Sequence, residues 1–111
     1  MTNEELNAIL FRRLSKEYDD YKKWLLRQPP EVILDNASKY TVITELMIVF
    51  ENNNMTDAQA KAMMRQHRNL EKIYDSWKED ACIHMDGLLD AAEAYADKVA
   101  EKLANRQMRG R

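Results

Sequence analysis

The sequence predicts an all-α fold, a helical bundle with a long C-terminal helix, and three observations support this. The 111 residues contain only two glycines and two prolines, too few for the frequent turns of an all-β protein. Apolar residues recur every three or four positions, the spacing of one helix face. Two segments have the spacing of a helix-capping box. The length allows one core, so we predict a single domain over residues 1–105 and a flexible basic tail over residues 106–111.

The first predicted helix covers residues 3–27. Thr2 and Glu5 have the capping-box spacing, in which each side chain bonds to the other residue's backbone N–H. Pro29 and Pro30 end the helix, because proline lacks an N–H and disfavours helical geometry in the residue before it. At 100° per residue, one apolar face collects Leu6, Leu10, Leu14, Tyr21, Trp24 and Leu25.

Residues 31–51 form the second predicted helix, which is apolar on most of its faces. Such a segment is typical of the buried centre of a bundle. Pro30 suits its first turn, and the β-branched residues between Thr41 and Thr44 favour a kink near Tyr40. The three asparagines at 52–54 predict a loop.

A short third helix, residues 57–66, is predicted from the second capping box, Thr56 with Gln59. The longest periodic segment follows it. Asn69 suits an N-cap, and apolar residues then step by three or four through Leu103, which predicts one helix of about 35 residues. Gly87 marks the point where this helix would bend most easily.

Several segments of the chain together resemble a family of small, uncharacterised, all-helical domains of gut bacteria and their mobile elements. The segments are residues 18–26 (YDDYKKWLL), residues 29–34 (PPEVIL), residues 55–62 (MTDAQAKA), and Leu70, Ile73, Tyr74 and Trp77 with His84, Met85 and Asp86. The resemblance covers roughly residues 10–92. It implies an all-helical domain that originates in a phage or conjugative element. It implies no activity and transfers no functional residue.

Residues that could build a catalytic or metal site are scarce. Cys82 and His84 are two positions apart and so leave a helix on nearly opposite sides, and His67 is the only other histidine. We therefore expect no metal and no cofactor. No phosphate-binding loop or nucleophile motif is present in the sequence, and we expect no enzymatic activity. Glu17, beside Leu14 on the apolar face, has two interpretations: a general acid with a raised pKa, or a paired or solvated residue at the rim of that face.

An acidic stripe is the main charge pattern. On a continuous helix its six carboxylates lie within about 40° of one line opposite the apolar face and span about 33 Å. Residues 69–104 contain nine acidic and four basic side chains, although the whole chain has a net charge of −2. The stripe is either a solvated surface or a docking surface for a basic protein partner. Its members are Glu79, Asp86, Asp90, Glu93, Asp97 and Glu101.

An association seam is also predicted, because the first helix is too short to cover the long helix. Tyr95, Val99 and Leu103 should then be exposed or buried by a second chain, in a homodimer or a partner complex.

These observations favour partner binding without catalysis. The specific hypothesis is an accessory protein of a phage or mobile element that inhibits a host defence nuclease such as a CRISPR effector. A self-associating structural bundle and a small DNA-binding regulator remain alternatives, although a tail with only three arginines disfavours direct nucleic-acid binding. The acidic N-terminus, the single cysteine and the lack of a long apolar run predict a cytoplasmic protein with no membrane partner.

Overall fold

The computed structural model describes residues 1–78 and 87–109, with side chains as far as Gln107. Within these residues the regular structure is helical and comprises six α-helices, which confirms the all-α prediction and the long C-terminal helix. The helices are α1 (Asn3–Leu26), α2 (Pro30–Asp35), α3 (Ala37–Asn52), α4 (Asp57–Met64), α5 (Asn69–Lys78) and α6 (Leu88–Arg109).

The two predicted capping boxes are confirmed. Thr2 Oγ1 accepts from the Glu5 N–H at 3.1 Å, while Glu5 Oε1 accepts from the Thr2 N–H at 3.2 Å. Thr56 and Gln59 make the same reciprocal pair at the start of α4, at 3.2 and 2.9 Å. These side chains satisfy backbone donors that have no partner inside the helix, which fixes where α1 and α4 begin.

The central segment is two helices, so the predicted kink near Tyr40 is wrong. The break lies at Asn36, whose Nδ2 donates to the Val32 carbonyl oxygen at 2.9 Å, an alternative to regular helical geometry that asparagine offers readily. Thr41 and Thr44 beyond it lie within α3, and their hydroxyls donate to the carbonyl oxygens four residues earlier, at 3.0 and 2.8 Å. Pro30 occupies the first turn of α2, as predicted.

The prediction of one continuous helix from Asn69 is wrong. The Tyr95 hydroxyl donates to Asn69 Oδ1 at 2.6 Å across 26 positions in sequence. A straight helix would separate those positions by about 39 Å at 1.5 Å per residue. Helix α6 therefore packs back against α5 and does not continue along its axis. Gly87, the predicted bend point, directly precedes α6.

The core lies where α1, α3, α4, α5 and α6 meet. Alanines give α4 and α6 an extensive contact, since Ala60, Ala62, Ala92 and Ala96 are all buried. The same contact covers much of the apolar face of α6. The largest fully buried side chains are Leu10, Leu14, Leu46, Met63, Leu70, Ile73 and Leu88.

The predicted association seam is not open. Val99 is buried, and Tyr95 and Leu103 pack partly buried against the chain's own core. The seam was predicted on the expectation that α1 alone would cover the long helix, whereas α3, α4 and α5 pack on α6. In addition, α6 continues to Arg109, so the domain boundary predicted at residue 105 falls inside a helix.

Candidate functional site

A surface cleft of about 890 Å³ lies between α1, the start of α3 and the turn that leads into α5. This volume is within the range of roughly 300–1,000 Å³ found for ligand sites. We call it the α1 cleft. Its lining comprises Arg13, Lys16, Glu17, Asp20, Tyr21, Trp24, Asn36, Lys39, Ile43, Gln66, His67, Arg68, Asn69, Leu70 and Glu71.

Glu17 caps α5 from a distant part of the chain. Its two carboxylate oxygens accept from the backbone N–H groups of Leu70 and Glu71, each at 3.1 Å. Burial raises the pKa of Glu17 above its usual value near 4.5, and the backbone hydrogen bonds offset part of that rise. Of the two interpretations from sequence, the contacts match a paired carboxylate.

Asn69 does not have the predicted N-cap role. It is the first residue of α5 and is buried, with Nδ2 donating to the Met63 carbonyl oxygen at 3.0 Å and Oδ1 accepting from Tyr95. Burial raises the pKa of the Tyr95 hydroxyl to about 12, and the nearby charge of Glu17 adds to the effect. Asn69 therefore ties α4, α5 and α6 together, while Glu17 satisfies the start of α5.

A lysine held between aromatic rings forms one wall of the cleft. The Lys39 ammonium lies 2.9 Å from Glu71 Oε1, 5.2 Å from the Tyr21 ring centre and 5.7 Å from the Tyr74 ring centre. Its side chain is only 18% exposed. The ion pair and the two cation–π contacts together keep Lys39 in place.

Tyr21 and Trp24 form an aromatic ledge at the cleft's end. Their ring centres are 6.0 Å apart at an interplanar angle of 25°, and the Tyr21 hydroxyl donates to Asn36 Oδ1 at 3.2 Å. Burial raises the pKa of the Tyr21 hydroxyl. Trp24 is 44% exposed, which contradicts its predicted place on the buried face of α1. The neighbouring Leu25 is the buried residue of this last turn, so the turn buries Leu25 and leaves Trp24 partly exposed.

Three further cations reach the cleft from its rim. Arg13 Nη1 donates to the Met64 carbonyl oxygen at 2.8 Å, and Lys16 pairs with Asp20 at 3.0 Å. Arg68 Nη1 lies 3.8 Å from Glu71 Oε2, beyond hydrogen-bond distance. Arg68 also has a backbone φ of 59°, in the left-handed region that side-chain-bearing residues rarely adopt.

Large apolar side chains are exposed around the double-proline turn. Trp24, Leu26 and Leu34 are 44%, 68% and 75% exposed, and α2 contains no fully buried residue. We call these three residues the apolar corner. The apolar corner was not predicted from sequence, because Trp24 fits the apolar period of α1. The sequence feature that could have indicated it is the short segment between Pro30 and Asn36, because a six-residue helix is too short to bury a full apolar face.

Four of the six residues of the predicted acidic stripe lie in the described part of the chain. Asp90, Glu93, Asp97 and Glu101 are all exposed on one face of α6 and span about 17 Å at 1.5 Å per residue. Asp97 is already engaged, since its Oδ1 accepts from Gln59 Nε2 on α4. Glu79 and Asp86 lie outside the described residues, so the full six-residue stripe stays a prediction.

The candidate metal ligands are not brought together in the described part of the chain. His67 is exposed at the edge of the α1 cleft, and Cys82 and His84 lie outside residues 1–78 and 87–109. Within those two ranges no three histidine, cysteine or carboxylate side chains are grouped as metal ligands would be. No described helix is both long enough and apolar enough to cross a membrane.

The fold and the cleft define a small all-α domain with a solvent-open cleft lined by cations and aromatic rings. The model of the family described as "Protein of unknown function (DUF3848)" matches residues 6–100, so the chain belongs to that family. The match includes α1 through most of α6 and thus the whole cleft. Neither the curated proteins nor the solved structures gave a match.

Proposed function

We propose that this protein is a binding partner of other proteins and has no catalytic activity of its own. The observation that carries the proposal is the apolar corner. Trp24, Leu26 and Leu34 lie within eleven residues of each other, and each exposes a large part of its side chain. Clustered exposed apolar residues of this kind mark protein interaction sites, where aromatic anchors contribute most of the binding energy.

The arrangement of Glu17 supports binding over catalysis. It is the carboxylate in the cleft whose pKa is raised, which is a property of general acids. Both of its oxygens, however, accept hydrogen bonds from the backbone of α5. Its role in holding α5 accounts for its burial without any reaction.

The test is a comparative capture experiment. The double variant Leu26→Asp with Leu34→Asp and the single variant Ile48→Asp are immobilised beside the unmodified protein in a bacterial lysate, and bound proteins are quantified by mass spectrometry. Ile48 is the matched control, because it is 44% exposed on α3, about 18 Å along that helix from Asn36. We expect some lysate proteins to bind both the unmodified protein and Ile48→Asp but not the double variant. Equal retention by all three would refute a role for the corner.

A second candidate surface is the acidic face of α6, which fits a partner with a basic groove. Asp90, Glu93 and Glu101 are exposed and form no ion pair with the described residues. Carboxylates at this spacing take the place of nucleic-acid phosphates and accelerate association with a basic surface. The finer proposal is a cytoplasmic accessory protein from a phage or mobile element that inhibits a nuclease such as a CRISPR effector, and this face supports only the binding of a basic groove in that proposal.

Charge reversal tests the nuclease proposal. Purified CRISPR effectors are assayed for DNA cleavage with the unmodified protein and with Asp90, Glu93 and Glu101 changed to lysine. Asp97 is kept, because it bonds to Gln59. The control reverses the same amount of charge on other helices, at Asp19, Asp35 and Glu51, which are also exposed. We expect inhibition that weakens with salt and is lost only in the first variant. No inhibition by the unmodified protein, or equal inhibition by both variants, would reject this role for the acidic face.

A further inference from the structure

We infer that the α1 cleft binds an acidic, amphipathic segment of a partner protein, with a large apolar side chain against Trp24 and carboxylates against Arg13, Lys16 and Arg68. The inference rests on the proposed protein-binding function and specifies the chemistry of the partner.

The charges that face the cleft favour an acidic ligand. Four cations line it, Arg13, Lys16, Lys39 and Arg68, against three carboxylates. One of these, Glu17, is turned towards the α5 backbone and is satisfied there. Four cations against three carboxylates leave an excess of one positive charge, and of the carboxylates only Asp20 and Glu71 are not already bonded to the α5 backbone.

The rim cations can exchange their present contacts for those of a ligand. Lys16 and Asp20 form an exposed pair, a type of contact that stabilises proteins by less than about 1 kcal/mol. Arg13 uses one guanidinium nitrogen on the Met64 carbonyl oxygen, and a guanidinium has five N–H donors. Arg68 is 76% exposed and is held by only one long contact. Each can therefore reach a carboxylate without breaking the core.

The aromatic ledge supplies the apolar half of the site. Trp24 lines the cleft and is partly exposed, and its stacking on Tyr21 holds the indole in one orientation. Tyr21 is fixed in turn by Asn36 and by the Lys39 ammonium over its ring. A prearranged aromatic surface of this kind lowers the entropy lost on binding an apolar side chain.

A peptide segment fits these features better than a small molecule or a nucleic acid. Small-molecule sites usually offer buried polar groups to a ligand, and in the described part of the chain no buried side-chain polar atom lacks a hydrogen-bond partner. A nucleic acid would also be drawn to cations beside aromatic rings. It would, however, meet a protein with a net charge of −2 and three carboxylates in the cleft lining.

Peptide selection tests the inference on the full chain. A random library of 12-residue peptides is selected on the immobilised protein, and enriched peptides are measured by fluorescence anisotropy. We expect enriched sequences to combine a large apolar residue with two or more aspartates or glutamates. The variant Arg13→Glu with Arg68→Glu should weaken their binding at least tenfold, and Trp24→Ala should weaken it similarly.

Matched controls separate the cleft from general electrostatics. Arg12→Glu with Lys22→Glu changes the net charge equally on exposed residues of α1 outside the cleft, and should change affinity less than twofold. Lys16→Glu gives a second measurement at a side chain that is 78% exposed, so it does not depend on the Arg13 hydrogen bond to α4. We expect it to weaken binding severalfold.

Four results would overturn the inference: no enriched peptide, enrichment without carboxylates, equal loss in the cleft and control variants, or displacement of the peptide by single-stranded oligo(dT) of similar affinity. The last would identify a nucleic-acid groove. Peptides that lack carboxylates but lose binding in Leu26→Asp with Leu34→Asp would leave the proposed function intact and remove only the inference about the cleft.

Discussion

Removing the Glu17 carboxylate tests the most important contact between the cleft and the rest of the fold. Glu17→Ala leaves the backbone N–H groups of Leu70 and Glu71 without the acceptor that lies 3.1 Å from each. Leu70 is fully buried, so water cannot replace the lost acceptor there. Glu71 is partly exposed and can bond to water instead.

The expected loss of stability follows from the two backbone N–H groups that lose their acceptor. A buried N–H left without a partner costs about 1–3 kcal/mol, whereas a donor that regains water costs little. Loss of an N-cap acceptor costs about 0.5–2 kcal/mol in other helices. The substitution also removes a partly buried charge, and because burial disfavours the ionised form of Glu17, this offsets part of the loss of stability. We therefore expect Glu17→Ala to lower the free energy of unfolding by about 2 kcal/mol, and the melting temperature by roughly 10 °C.

Urea unfolding followed by circular dichroism at 222 nm measures this cost. Asp20→Ala, one turn further along α1 and exposed, is the control and should change stability by less than about 0.5 kcal/mol. Native-state hydrogen exchange should show faster exchange of the Leu70 amide in Glu17→Ala. A loss no larger than that of the control, with unchanged exchange at Leu70, would refute the capping role.

The raised pKa of Glu17 adds a prediction about pH. Between the usual carboxyl pKa near 4.5 and the higher value in the folded protein, the folded state binds more protons than the unfolded state. The contribution of Glu17 to stability therefore falls as pH rises through the folded pKa. Glu17→Gln does not titrate at this position and serves as the reference. As the pH rises across this interval, the free energy of unfolding of the unmodified protein should fall relative to that of Glu17→Gln. A relative stability that increases with pH would show that the carboxylate is favoured in its ionised form.

Three further predictions concern the packing of the helices. Tyr95→Phe should cost about 1–2 kcal/mol, because buried Asn69 loses the donor at 2.6 Å, and urea unfolding should detect this loss. Leu46→Ala should cost about 2–5 kcal/mol as a cavity in the core, and a loss below 1 kcal/mol would contradict its complete burial. Trp77→Ala should cost about 2 kcal/mol in the same assay, less than a fully buried aromatic, because Trp77 is partly buried beside the Tyr74 ring at 6.2 Å.

The features that sequence predicted correctly are local ones. Thr2 with Glu5 and Thr56 with Gln59 act within a single turn, so their spacing alone indicates where α1 and α4 begin. Pro30 fixes its own φ, and its place in the first turn of α2 follows from that constraint. The buried leucines of α1 follow from its apolar period.

The cleft could not be predicted in the same way, because its contacts join residues far apart in sequence. Glu17 meets Leu70 across 53 positions, and Arg13 meets Met64 across 51. No period within α1 indicates which helix terminus Glu17 will cap. From sequence, Glu17 on the apolar face could be a general acid or a paired or solvated residue at its rim, and only the packing of α1 against α5 shows that it pairs with the α5 backbone.

The change of direction after α5 escaped detection for a more specific physical reason. Leu70 and Leu88 are 18 positions apart, which is five complete turns at 3.6 residues per turn, so the apolar faces of α5 and α6 have the same phase. The apolar residues of α5 and α6 therefore keep the same spacing along the sequence whether the two helices form one straight helix or pack back on each other. Tyr95 reaching Asn69 shows that they pack back on each other. Because α6 packs back against α5, Val99 lies in the core, where the sequence had predicted a seam open to a second chain.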